Sequence, residues 1–209
     1  MDPIVKTLKG AAALPAGILH VLLLLHAPIL DALPGARDDV RAALLFVLSL
    51  ECDADGASGE AGFWPTHTEP GDDRKEPLVH WCHGSTGAVF LFAQAHEACG
   101  EAPGGPYLRA ALRGGEAVWE RGLLRKGPGA CHGVSGSAYA LLRLWRATGD
   151  EVWLHRAAQF ALFMRSEEFQ LGARTPDRPA SLFEGWAAAA CLYADLLQPA
   201  DARFPLFEL

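Results

Sequence analysis

Two stretches of the chain repeat one phrase, Cys-His-Gly-x-x-Gly: Cys82 to Gly87 and, 49 residues later, Cys131 to Gly136. Cysteine and histidine hold soft divalent metals, as thiolate sulfur and imidazole nitrogen. If the two phrases occupy equivalent places in neighbouring structural repeats, Cys82 and Cys131 meet, together with a histidine. Two thiolates and one imidazole form a three-ligand zinc set that leaves a fourth position for water or substrate. His83 and His132 are equivalent in the repeat, so spacing leaves open which of them is the ligand. A place just ahead of a helix also favours a thiolate. The competing reading is packing. On that view the glycines let inner helices approach closely, and the two cysteines are small buried apolar groups.

Other residues near these phrases bear on the same chemistry. Arg125, Lys126 and Arg174 lie close in sequence and together could form a cationic rim for a ligand carrying carboxylates. Taken singly, each reads as solvated surface. Glu184, in Ser181-Leu182-Phe183-Glu184-Gly185, stands where the other phrases have histidine. Beside a helix N-terminus it reads as a cap. His80 reads either as a support beside the ligands or as an exposed loop residue.

The elements that must position these groups follow the same period. Gly17, Gly87, Gly136 and Gly185 each introduce a strongly apolar stretch: 17–25, 87–98, 136–147 and 186–197. After the first three come amphipathic segments, beginning at Ala36, Pro106 and Val152. The pattern predicts helix pairs, with apolar inner helices and amphipathic outer ones. No convincing alternating strand appears. Two Gly-, Asp- and Pro-rich loops, 51–77 and 171–181, fall at the end that carries the Cys-His phrases.

Composition narrows the class. The chain has 209 residues, half of them hydrophobic, with a net charge of −7. That suits one globular domain with a real core and argues against a nucleic-acid partner. Five cysteines, an odd number in a chain of this size, make a disulfide framework a poor explanation. A reducing compartment fits better. The apolar run from Ala11 to Leu30, broken by His20, His26, Pro15 and Pro28, reads as a core helix or as a targeting or membrane segment.

"VHWCHG", "LLRKGPGACHGVSGSAYALLRLWRATGD", "SLFEG" and the closing "ADLLQPADARFPLFEL" resemble the lanthionine synthetase C-like (LanC-like) family of animals, nearest its third vertebrate member. The resemblance implies an all-α fold, an α/α toroid of seven helical hairpins in a protein roughly twice this length. Residues 1–209 would be a single LanC-like domain, the C-terminal portion of an incomplete toroid with about four hairpins. It implies Zn2+ at Cys82, Cys131 and His132, with His83 not a ligand. It implies that Lys126 and Arg174 lie near glutathione, whose thiol adds to dehydroalanine or dehydrobutyrine in peptides or proteins. It also exposes a departure. The family's proton-donor histidine falls at Ala13, and Leu14 takes the place of a glycine. His20 lies about two helical turns further on and is not expected to substitute. No residue is therefore assigned as catalytic, and the chain is expected to be weak or inactive in that reaction. A zinc-stabilised scaffold that binds glutathione or a protein without chemistry is the alternative. The expected location is cytoplasmic, with peripheral contact to the plasma membrane open.

Overall fold

The structure, a computed structural model, describes residues 13–25, 27–57, 59–66 and 77–209. Among these it is all-helical. Nine helices follow in order: α1 Ala13–Leu24, α2 Ala27–Asp31, α3 Ala36–Ser49, α4 Ser85–Ala98, α5 Pro106–Arg121, α6 Val134–Thr148, α7 Glu151–Phe163, α8 Glu167–Gly172 and α9 Trp186–Asp195. The described residues contain no strand, only the isolated bridges Cys52–Phe63 and Val79–Gly84.

The helices sort into two layers by their patterning. In α6 every residue from Val134 to Leu144 is buried, as suits an inner helix covered on all sides. Its partner α7 buries one stripe, Trp153, Ala157, Phe160 and Ala161. Inner helices α1, α4, α6 and α9 stand in a row, each packed against the next, and α3, α5 and α7 pack on α1, α4 and α6 from outside. The α6–α7 turn shows how tightly a pair is joined. Gly149 takes a left-handed conformation as the C-terminal stop, and the Asp150 carboxylate accepts from Val152 N–H to start the next helix. The third outer segment, read as one helix, is in fact two. Ser166 ends the first by donating to the Phe163 carbonyl at 2.7 Å and starts α8 by accepting from Phe169 N–H at 3.2 Å.

The Gly-x-x-Gly phrases have a different cause from close helix approach. The N–H groups of Ser85, Val134 and Trp186 donate to the carbonyls of Leu78, Gly127 and Pro179, each seven residues earlier. Gly87 and Gly136 repeat this with His80 and Gly129. A lead-in loop thus folds over the start of α4, α6 and α9 and takes up N–H groups that have no partner within the helix. The loop comes so close that side chains cannot fit. A Cβ on Gly84 would lie 1.7 Å from the Leu78 carbonyl oxygen, and one on Gly136 would lie 1.9 Å from that of Ala130.

The segment Ala13–Leu24 packs one face into the core. Leu19, His20 and Leu23 of α1 are buried. No helix among the described residues is long and apolar enough to cross a membrane. Residues 1–12 and His26 lie outside the described residues, as do the side chains of Ala13 and Leu14. After α9 the chain does not form another outer helix. Its closing Arg203-Phe204-Pro205-Leu206-Phe207-Glu208-Leu209 turns inward. Phe204 and Phe207 pack on Trp81 with ring centres 5.0 and 4.9 Å away, and Phe207 stacks on His20 at 4.0 Å. Glu208 anchors this tail by accepting from Arg146 at 2.5 Å and from the Phe204 N–H at 2.8 Å.

Candidate metal and thiol site

The lead-in loops build the site because they are stitched side by side. Trp81 N–H donates to the Cys131 carbonyl at 2.8 Å, and Cys131 N–H donates to the Phe183 carbonyl at 2.9 Å. Ala130 N–H reaches Leu182 in the same direction, at 3.2 Å. Three successive loops therefore form a staircase across the N-termini of α4, α6 and α9. Equivalent positions one repeat apart become neighbours, and the two cysteines meet.

The ligand atoms of Cys82, Cys131 and His132 all lie within 4.8 Å of one another, and each residue is half-buried. These three could hold a metal ion. Among the described residues they are the one group of three or more such side chains with this spacing, and His83 is outside it. His83 instead lines a neighbouring cavity. His80 is not an exposed loop residue. It is 7% exposed, its ring lies 5.8 Å from that of His132, and it hydrogen-bonds the Cys82 thiol. Its backbone explains this burial, since its carbonyl caps α4 through Gly87.

Charge is distributed unevenly over the two sulfurs. The hydrogen bond from Cys131 pulls the Cys82 thiol down to about 4, helped by the His80 hydrogen bond and the charges of His83 and His80, against the opposing effect of burial. Cys131 is pushed far up, first by its hydrogen bond to Cys82, then by burial and the Cys82 and Glu184 charges. The pair therefore holds one proton between two sulfurs. A second ionisation places like charges side by side, which is costly unless a cation joins them.

Glu184 does not cap α9, whose first turn receives no side-chain hydrogen bond. Its N–H donates to the Ser181 hydroxyl, and its Oε2 is buried without a hydrogen-bond partner among the described residues. It acts on Cys131 through charge, a role that its repeat position alone did not reveal. Lys126 and Arg174 are both exposed. Their loops adjoin, because Arg174 N–H donates to the Arg125 carbonyl at 2.7 Å. Two candidate cations thus sit on neighbouring segments next to the Cys131 loop. Among the described residues neither side chain hydrogen-bonds a sulfur.

The comparisons with known proteins agree with this architecture. A 137-residue stretch, 66% of this chain, is 48% identical to the zebrafish (Danio rerio) protein named glutathione S-transferase LANCL1, of which it covers 33%. Over 203 residues, 96% of this chain, identity to the Arabidopsis thaliana LanC-like protein GCL1 is 36%, covering 43% of that protein. The chain thus spans less than half the length of these curated relatives. The family profile described as lanthionine synthetase C-like protein matches residues 10–209. With its all-helical inner and outer layers, the chain belongs to the lanthionine synthetase C-like family.

Proposed function

We propose that Cys82, Cys131 and His132 bind zinc, and that the site serves addition of the glutathione thiol to dehydroalanine or dehydrobutyrine residues of peptides. The observation that carries this reading is the convergence of two thiols and one imidazole within 4.8 Å. Ligand atoms around a tetrahedral zinc with bonds of about 2.0–2.3 Å sit about 3.5–3.8 Å apart, so only small side-chain shifts are needed. Three protein ligands leave one position open, the pattern of reactive rather than structural sites. The zebrafish relative's name supplies the thiol, glutathione.

Zinc, when bound, favours the thiolate form of a thiol that joins it. The chain's own residues do the rest. Cys82, already the more acidic thiol, gives up its proton first. His80 braces Cys82 and lies beside His132. Lys126 and Arg174 receive the carboxylates of glutathione at the rim, as charge-assisted hydrogen bonds favour. In the reaction the sulfur bonds to the β-carbon, the double bond breaks toward the carbonyl, and the α-carbon takes a proton. That last step lacks a residue, since Ala13 stands where the family's donor histidine would be. General acid help is worth about 10²–10⁴ in rate. The chain is therefore a weak catalyst at most, and glutathione held without adduct formation is the second reading that Ala13 favours. Incubation with glutathione and a dehydrobutyrine peptide, followed by mass spectrometry, separates them. Adduct at a slow rate dependent on Cys82 and Cys131 supports the first reading. Binding of glutathione with no adduct supports the second. Fast turnover contradicts the weight placed on Ala13.

A further inference from the structure

A cavity of about 700 Å³ opens directly beside Cys82 and His83. Its walls are aromatic and aliphatic: Trp64, Trp81, Phe207 and, from α1, Ile18 and Val21. No Asp, Glu, Lys or Arg among the described residues lines it. Trp64 turns its indole N–H away to the Val47 carbonyl at 3.1 Å, so its ring offers only apolar surface. Phe207 reaches the cavity from the end of the chain, fixed between His20 and Trp81. The walls thus come from distant parts of the sequence, with Trp64, Val47 and Phe207 packed in or against the core.

We infer that this cavity binds uncharged apolar side chains flanking the acceptor residue of a peptide substrate. The inference rests on the proposed addition of glutathione at the site that Cys82 helps to form. A reaction that joins the glutathione sulfur to carbon beside Cys82 places the carbon's substituents in space next to Cys82, and the cavity is the open space that Cys82 lines. Its volume exceeds what a dehydroalanine or dehydrobutyrine side chain of one or two carbons can fill. It matches the range of about 300–1,000 Å³ typical of pockets for whole ligands. The neighbouring residues of the peptide are what remain to occupy it. A carboxylate or ammonium there would lose water over a wall whose polar side chains are Cys82 and His83 at one edge, so acidic and basic neighbours are disfavoured.

The test is calorimetric binding of two peptides that differ only beside the dehydroalanine, which is flanked by Leu and Phe in one and by Glu on both sides in the other. Burial of one such apolar side chain is worth about 10-fold or more in affinity, so the apolar peptide binds at least about 10-fold more tightly. Val21, 52% exposed at the cavity mouth, can be changed without opening the core. In Val21→Glu, and in Ile18→Glu on the same rim, the preference falls to within about 3-fold while helical content is unchanged. Equal affinities, preference for the acidic peptide, failure of either peptide to bind, or an unaltered ratio in both variants overturns the inference. Metal content measured on the same samples keeps the two ideas apart. Zinc present without apolar preference removes only the cavity assignment, and apolar preference without zinc removes only the metal assignment.

Discussion

Gly17 and Gly136 hold the same place in the helical repeat, yet alanine should act on them with opposite sign. At Gly136 a Cβ would lie 1.9 Å from the Ala130 carbonyl oxygen and 2.9 Å from its carbon. The lead-in loop must then retreat by about 1 Å or more to reach ordinary van der Waals separation. Retreat breaks the Gly136 N–H bond to the Gly129 carbonyl and leaves a buried donor unpaired. Together with the strain of overpacking this costs about 3 kcal/mol, or about 6–12 °C in Tm for a chain of this size. At Gly17 nothing among the described residues lies within 4 Å of an added Cβ, and the residue is inside α1. There alanine removes the entropic cost of a helical glycine and stabilises by about 0.5–1 kcal/mol, a rise of about 1–4 °C. Parallel urea and thermal unfolding of Gly17→Ala and Gly136→Ala decide the matter. Equal shifts, or a neutral Gly136→Ala, would refute the account of the phrase as a loop-capping device.

Three further outcomes follow from the same structure. In metal-free protein at pH 6, iodoacetamide should modify Cys82 ahead of Cys131, and Cys52, buried and pushed up to about 11, should label last; peptide mapping reads the order. His20 is fully buried, and its ring nitrogens make no hydrogen bond among the described residues. Burial chiefly, with the Arg143 charge, lowers it from 6.5 to about 4, despite the nearby backbone of Phe90 and Phe207. The unfolded chain therefore takes up this proton first on acidification. Stability contributed by neutral His20 is intact above about pH 6.5 and is lost between there and about pH 4, by about 3 kcal/mol. His20→Leu should lack that part of the pH dependence, and an unchanged profile would contradict the assignment. Glu51 is buried, accepts from Arg113 at 2.7 and 2.6 Å, and takes the Gly62 N–H at 2.8 Å. Glu51→Ala should cost about 2–4 kcal/mol in denaturant unfolding, because it strands the Gly62 N–H and leaves Arg113 only its longer contact to Glu60 at 3.6 Å; a loss under about 1 kcal/mol would show that water replaces the carboxylate.

The helix pairs were legible because burial leaves a trace in sequence: the inner helix α4 is apolar on nearly every face, whereas its outer partner α5 is apolar on one. Cys82 and Cys131, with one of His83 and His132, were legible for a related reason, since a fixed period of 49 residues brings equivalent loops together when loops are bonded in register; the period left the choice of histidine open. The purpose of the glycines was not legible. A carbonyl from the helix's own lead-in loop and a neighbouring helix both demand a missing Cβ, and only the fold distinguishes them. His80 was left open between a support beside the ligands and an exposed loop residue, and Glu184 was misread as a cap, for the same reason. Polarity suggests exposure or capping, but packing of the loops buries His80 beside His132 and leaves Glu184 Oε2 buried without a hydrogen-bond partner among the described residues. The apolar cavity was invisible because its walls are assembled from α1, the 51–77 loop, α4 and Phe207 at the chain end. No local pattern records that assembly.

The central claim is that two lead-in loops join at a metal. Inductively coupled plasma mass spectrometry of purified protein, with Cys82→Ala, Cys131→Ala and His83→Ala beside it, tests this most directly. The account predicts about one zinc per chain in the unaltered protein and in His83→Ala, and little zinc in either cysteine variant. Zinc absent from the unaltered protein, or equally present when Cys82 or Cys131 is removed, would contradict it.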